Sequence, residues 1–291
     1  MSNRRPVRII GELMNTSFAR ARRAWEARDP LAFAELARVQ TGLGADFMTL
    51  YLGGTQSLRV ETPAMLEFLQ HVVPAIQAAS AVPLSFDHPN VAYHREALRR
   101  YDRSRSPAPI LNSGAASRER LEDFVALAAE HDTWVIIMAS ERFAPGGSVP
   151  CASGTEIHEV ARHFAGMLRA KAGRRNDQLI VDPGLCPVGA DVTGATNRGL
   201  DAMRLIRADR DLAGVHLSVG LTNFSFGMPA PWRLALENAY LTIAVEHGLD
   251  FVLGNPEKDL HRLEPADPAL VAVREALALG RVAAGEDPED A

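Results

Sequence analysis

Apolar residues in this chain fall in short runs that end in polar tips or glycines, separated by longer stretches with helical periodicity. The first run, Val7-Arg8-Ile9-Ile10-Gly11-Glu12-Leu13, reads as a buried strand ending in Asn15-Thr16-Ser17. A helical pattern follows from about Pro30 to Thr41, stopped by Gly42 and Gly44. Asp46 to Leu52 is a second strand, closed by Gly53-Gly54, and Pro63 to Ala79 a helix with proline in its first turn. A third strand spans Val82 to Asp87, with a helix from Val91 to Tyr101. Strand four, Pro109 to Asn112, turns through Ser113-Gly114 into a helix from about Ser117 to His131. Strand five, Trp134 to Ala139, precedes a Pro- and Gly-rich loop from Phe143 to Gly154, longer than ordinary connections and so a candidate lid or binding loop. A helix from about Thr155 to Ala172, strand six (Gln178 to Asp182) and a helix from Asn197 to Asp209 come next.

Strand seven lies in Gly214-Val215-His216-Leu217-Ser218-Val219-Gly220, which leaves through the polar tip Thr222-Asn223 toward a helix from about Pro231 to His247. Strand eight, Leu249 to Gly254, ends in Asn255-Pro256, and a last helix occupies roughly Ala266 to Val282. Eight strands alternating with helices predict a (β/α)8 TIM barrel as one domain over residues 1–291, with short disordered tails at about 1–6 and 284–291. A doubly wound open sheet would need a glycine-rich fingerprint after strand one, and Gly11-Glu12-Leu13-Met14-Asn15 is not one.

Composition narrows the function without choosing it. The 291 residues are 47% hydrophobic and 23% charged, with a net charge of -5 and both signs interspersed, so nothing resembles a nucleic-acid footprint. Cys151 and Cys186 are too few for a disulfide framework and lack metal-site spacing. With no signal peptide and no apolar run long enough for a membrane span, the expectation is a cytoplasmic protein.

In such a barrel the active site is built at the C-terminal ends of the strands. Those ends carry Glu12 and Asn15, Thr49 and Tyr51, Asp87, Asn112, Asp182, Asn223 and Asn255. The ring lacks the lysine of a Schiff-base aldolase and the paired histidines of a metal-dependent amidohydrolase. His88 beside Asp87 reads as a turn residue, and the helical His71, His94, His158 and His163 as surface or boundary residues. Carboxylates and carboxamides suit a polar ring system such as a pteridine, whose pyrimidine edge offers paired N–H groups to a carboxylate. An Asn that merely satisfies its own turn would give the same pattern at position 223.

Four stretches resemble the pterin-binding barrels, and within them the methyltetrahydrofolate:corrinoid methyltransferases. They are Ile9-Ile10-Gly11-Glu12 through Asn15; Asn112-Ser113-Gly114; Val181-Asp182-Pro183 with Cys186-Pro187-Val188; and Gly220-Leu221-Thr222-Asn223-Phe224-Ser225-Phe226-Gly227-Met228-Pro229. The resemblance implies that Asp87, Asn112 and Asp182 hold the pterin by hydrogen bonds. It implies that Asn223 is catalytic, hydrogen-bonding near the pterin N5 as the methyl group departs. Arg233 corresponds to an arginine of the following helix, with two extra residues before it around Pro229-Ala230-Pro231. Glu12, Ser225 and Asn255 complete the expected substrate-binding set. The substrate implied is tetrahydrofolate or methyltetrahydrofolate, with cobalamin (a corrinoid) supplied by a corrinoid-binding partner protein and no bound metal. The chain is expected to be a homodimer, with neither nucleic acid nor membrane as partner.

Strand two departs from the family, which usually has Asp and Asn where this chain has Thr49 and Tyr51. Either the folate is held differently or the methyl donor is a different molecule. No cobalamin-binding Asp-x-His-x-x-Gly segment is present, so the corrinoid is expected on a separate protein, with the Phe143–Gly154 loop and Arg142 as a contact surface. Alternatives are a demethylating methyltransferase, a dihydropteroate synthase (whose late Arg-x-His is poorly matched by Asn255-Pro256-Glu257-Lys258), and an inactive folate-binding barrel.

Overall fold

The structure, a computed structural model, describes residues 7–55 and 58–280; the tails expected at about 1–6 and 284–291 lie outside the described residues. In chain order the elements begin with β1 (Arg8–Asn15), α1 (Ala19–Glu26), α2 (Pro30–Gly42), β2 (Phe47–Tyr51), α3 (Thr62–Ala79), β3 (Leu84–Asp87) and α4 (Val91–Arg100). They continue with β4 (Ile110–Gly114), α5 (Leu121–Glu130), β5 (Trp134–Met138), the pair β6 (Glu141–Ala144) and β7 (Gly147–Pro150), and α6 (Gly154–Ala172). The last third holds β8 (Leu179–Asp182), α7 (Ala195–Ala208), β9 (His216–Leu217), α8 (Leu221–Phe224), α9 (Ala230–Glu246), β10 (Phe251–Gly254) and α10 (Pro268–Leu279).

Eight parallel strands run in the order β10-β1-β2-β3-β4-β5-β8-β9. A parallel bridge between Gly220 and Leu253 joins the two ends of that sheet, with the Leu253 amide donating to the Val219 carbonyl at 2.9 Å. The predicted (β/α)8 TIM barrel is therefore the fold. Local chemistry sets the helices that flank it. The Asp29 carboxylate accepts from the amides of Leu31 and Ala32 at 2.9 and 3.2 Å, and Pro30 follows where no N–H is needed. Ser153 caps α6 through the Glu156 amide at 3.2 Å, and Gly173, at φ +64°, closes it.

Inside the barrel, alternate residues of each strand point at the axis. Ile10, Phe47, Ile110, Ile136, Ile180 and Phe251 form an apolar cluster there, separate from the larger core between strands and helices. The N-terminal end of the barrel is stopped by the Arg8 guanidinium, which lies 4.5 Å from the Phe251 ring centre and 5.3 and 5.4 Å from those of Phe47 and Trp134. His216 stacks on Trp134 and bonds Asp250 at 2.6 Å. The strand-end carboxylates and carboxamides form a separate polar layer at the C-terminal end, beyond the isoleucines.

A bulge in β1 shapes that layer. The register of β1 on β2 slips between Gly11 and Met14, and the Gln40 carboxamide oxygen takes the Leu13 amide at 3.1 Å. A side chain at Gly11 would collide with that carboxamide. The bulge lies at Glu12, whose Oε2 accepts from the Thr222 hydroxyl at 3.3 Å.

Three expectations change. Helix α1 was not foreseen: its charged sequence ARARRAWE hides a narrow face on which only Ala21, Ala24 and Trp25 are buried. The segment Phe143–Gly154, expected as a loop, is mostly an antiparallel hairpin that turns at Gly146, at φ +84°, with helix α6 starting at Gly154. His94, expected near the surface, is fully buried, its Nε2–H donating to the His88 carbonyl, 2.7 Å away. Among the described residues no helix is long and apolar enough to cross a membrane.

Candidate active site

A cavity of about 560 Å³ opens at the C-terminal ends of the strands. Asp87 (end of β3), Asn112 (β4), Asp182 (β8) and Asn223 (in α8) all line it, over an apolar floor that includes Ile136, Met138 and Leu253. A neighbouring cavity of about 800 Å³ shares Asp87, Asn112 and Met138 with the first, so the two form one cleft. Four polar side chains from four separate segments thus converge on one concave, partly apolar space, the usual build of a small-molecule site.

Asn223 owes its place to the turn before it. Its amide donates to the Gly220 carbonyl at 3.0 Å. Its carboxamide nitrogen sits 2.8 Å from where a Cβ at position 220 would be, so glycine there gives the side chain room. Asn223 itself is exposed, with its neighbours Leu221 and Phe224 in the core.

The two aspartates are unusual carboxyls. Burial pushes Asp182 up to about 7, opposed by the Gly184 amide at 2.8 Å and reinforced by the neighbouring Asp87. Burial likewise pushes Asp87 up to about 7, opposed by the Arg118 guanidinium. Each can therefore exist as acid or carboxylate near neutrality and meet a ring nitrogen in either protonation state. A carboxyl that holds its proton more tightly folded than unfolded stabilises fully below about pH 4, and that contribution is lost as pH rises through about 7. Asp182→Asn removes the titration. Its stability relative to the parent, from urea unfolding without ligand, is expected to rise between pH 4 and 7.5 by more than about 1.4 kcal/mol, the equivalent of one pH unit in proton binding. A flat or falling difference would show that Asp182 ionises as an ordinary carboxyl.

The other expected site residues are placed differently. Glu12 is 4% exposed and does not line the cavity; its Oε2 accepts from the Thr222 hydroxyl at 3.3 Å. Burial pushes its carboxyl up to about 7, against the pull of Lys258. Ser225 is buried and donates to Glu237 Oε1 at 2.5 Å, away from the cavity lining. Arg233 is exposed in the first turn of α9, its Nε donating to the Met228 carbonyl at 2.7 Å. Asn255 is half-buried and accepts from the Glu257 amide at 2.9 Å, so its side chain serves its own turn. Of the strand-two pair, Thr49 is fully buried, and Tyr51 leans toward His88 with ring centres 5.9 Å apart. Gly53 makes room for the Tyr51 hydroxyl. His88 takes the Asn90 amide on Nδ1 at 3.0 Å, as a turn residue does.

Sequence reading missed Arg118. Its guanidinium donates to the carbonyls of Ser113, Pro89 (2.9 Å) and His88 (3.0 Å) and lies 4.3 Å from the Phe124 ring centre. It ties the β3 and β4 tips together and lines the larger cavity of the cleft with Asp87 and Asn112, a role no local pattern announces. Burial pushes the thiols of Cys151, to about 11, and Cys186 upward, so neither cysteine offers a thiolate to this cavity.

A model of the pterin binding enzyme family matches residues 13–253. The chain belongs to that family. The match spans Asp87, Asn112, Asp182 and Asn223. Among curated relatives, a methylcorrinoid:tetrahydrofolate methyltransferase of Eubacterium limosum is 21% identical over 254 residues, covering 85% of this chain and 84% of the relative. Among solved structures, a dihydropteroate synthase of Xanthomonas albilineans superposes with a TM-score of 0.59 at 20% identity, covering 97% of this chain and 96% of that one. The Thermus thermophilus dihydropteroate synthase gives a TM-score of 0.53 at 23% identity, over 94% and 93% of the two chains. These structural likenesses speak for the barrel. The choice of reaction rests on the residues in it.

Proposed function

We propose that this pterin-family barrel moves a methyl group between N5 of tetrahydrofolate and the cobalt of a corrinoid carried on a separate protein. The observation that carries this reading is the Asn223 carboxamide at the mouth of a cavity that also holds Asp87, Asn112 and Asp182. The name of the Eubacterium limosum relative supports it.

In this reading the two aspartates and Asn112 meet the N–H and carbonyl edge of the pterin, and Asn223 faces N5. The methyl leaves as a cation equivalent, the bonding pair stays on N5, and N5 carries a proton taken from solvent water. The electron pair of the new bond comes from the reduced corrinoid, which supplies the difficult chemistry. Asn223 can accept from N5–H and donate elsewhere in the same arrangement, so its contact strengthens as charge develops. Transfer in the opposite direction uses the same contacts. Phe226 and Trp232 are 73% and 59% exposed beside the Asn223 turn, and Phe143 on the hairpin is 47% exposed. Large apolar side chains left in water beside the Asn223 turn fit a surface where a protein partner docks.

Calorimetry tests the substrate. Methyltetrahydrofolate is expected to bind with micromolar affinity, weakened about 10- to 100-fold in Asp182→Ala, because a buried N–H pair loses its acceptor. Equal affinity in the two proteins would remove Asp182 from the site. One observation favours a second reading: Tyr51 puts a bulky ring beside His88, where relatives are expected to carry a small polar residue. A barrel altered there could take its methyl from another donor. Absence of folate binding in the unaltered protein would decide for that reading.

A further inference from the structure

The residue assigned to catalysis sits on a helix that cannot hold itself. Helix α8 is four residues long, too short for its internal hydrogen bonds to fix it. Its neighbours do the holding. Leu221 and Phe224 are fully buried, the Phe224 ring centre lying 4.8 Å from that of Tyr240 on α9. Thr222 and Ser225, which flank Asn223 in sequence, each reach a buried carboxyl group. Thr222 donates to Glu12 Oε2 at 3.3 Å, which joins the turn to β1 across 210 residues. Ser225 donates to Glu237 Oε1 at 2.5 Å, and Lys258 Nζ grips both Glu237 oxygens at 2.6 and 2.7 Å.

These carboxyl groups are poor choices if packing alone were the need. Glu12 Oε1 is buried with no hydrogen-bond partner. A half-satisfied buried acid is less stabilising than an apolar residue of the same size. Only Thr222 among the groups of α8 is bonded to it, and Lys258 and Glu237 are the charged groups that face it. The arrangement makes sense as a clamp on the segment between them.

We propose that Glu12 and the Glu237–Lys258 pair are positioning residues that hold α8 and the residue after it by the hydroxyls of Thr222 and Ser225, and so fix the Asn223 carboxamide over the cavity. Glu12 therefore acts through Thr222 rather than on the pterin. The proposal rests on the assignment of Asn223 to the reacting nitrogen, but the clamp itself is a property of the fold and can be measured apart from it.

The test uses the full chain with Thr222→Val, Thr222→Ser and Glu12→Ala. Hydrogen exchange of the amides in 220–227 is read together with methyltetrahydrofolate affinity and methyl transfer to free cob(I)alamin. In Thr222→Val and Glu12→Ala, exchange in 220–227 is expected to speed up about tenfold or more while β1 and β8 keep their protection. Turnover should fall by about tenfold to a hundredfold with the dissociation constant for methyltetrahydrofolate within about twofold of the parent, as for a reacting group displaced by about an ångström. Thr222→Ser, which keeps the hydroxyl, should recover most of the rate. The double variant Glu12→Ala/Thr222→Val should lose no more than the worse single one, since both break one contact.

Unchanged exchange in 220–227 of Thr222→Val overturns the clamp. So does a loss of folate affinity in Glu12→Ala as large as the loss in turnover, which would put Glu12 on the ligand. If Glu12→Ala does not fold, Thr222→Val decides alone. If the parent protein binds the folate but transfers no methyl group, the methyltransferase reading fails, and the exchange data still decide the clamp.

Discussion

Asn223→Ala is expected to lower methyl transfer between methyltetrahydrofolate and cob(I)alamin by about 10² to 10³-fold, the usual cost of losing one hydrogen-bonding group aimed at developing charge. Stability should move by no more than about 0.5 kcal/mol, because Asn223 is exposed and its substitution leaves Leu221 and Phe224 in the core. Folate affinity should change little, since Asp87, Asn112 and Asp182 remain. Single-turnover rates, denaturation midpoints and calorimetry read the three quantities separately. A variant that transfers the methyl group at the parent rate would leave Asn223 as a turn residue. One that unfolds would make it a structural one.

Lys258→Met is expected to cost stability instead, by about 3 to 5 kcal/mol. Glu237 is 1% exposed at its side chain, and both of its oxygens face the Lys258 ammonium, itself 26% exposed. Removing the cation leaves a buried carboxylate with the Ser225 hydroxyl as its remaining hydrogen-bond donor and the buried Glu12 carboxyl nearby. Pairing the change with Glu237→Gln removes the orphaned charge and should recover most of the loss, a coupling that a double-mutant cycle in urea would show. A loss below about 1 kcal/mol in Lys258→Met would mean that solvent reaches Glu237 and that the pair is an ordinary surface bridge.

The barrel was legible because its evidence is local. Strand after strand, a short apolar run ends in a polar tip, and the periods of two and 3.6 alternate along the chain. The structure moves most of those boundaries by only a residue or two: the helix read from Pro63 begins at Thr62, and the one read from Val91 to Tyr101 ends at Arg100. The convergence of Asp87, Asn112, Asp182 and Asn223 was likewise foreseeable, since a closed barrel carries every strand end to one mouth.

What escaped was whatever depends on partners far apart. Glu237 looks like a helical surface glutamate until Lys258 arrives from 21 residues downstream. Arg118 acquires its meaning from carbonyls on two strand tips. Ser225 and Asn255 sit in the right segments, yet their side chains turn to Glu237 and to the Glu257 amide. A strand-end list shows where the chain passes. It does not show which way a loop residue faces once the strand has ended. The charged helix α1 escaped for another reason, since three buried positions among arginines give almost no periodic signal.

The Arg8 stopper beneath the barrel has a kinetic corollary. With the guanidinium wedged among Phe47, Trp134 and Phe251, a ligand in the polar layer has no back door. For two reactants that share one doorway, the deeper must enter first and depart last. Under the proposed reaction the folate is the deeper guest, so turnover should follow a compulsory order, and an excess of corrinoid protein should slow it by standing in the doorway while spent folate waits to leave.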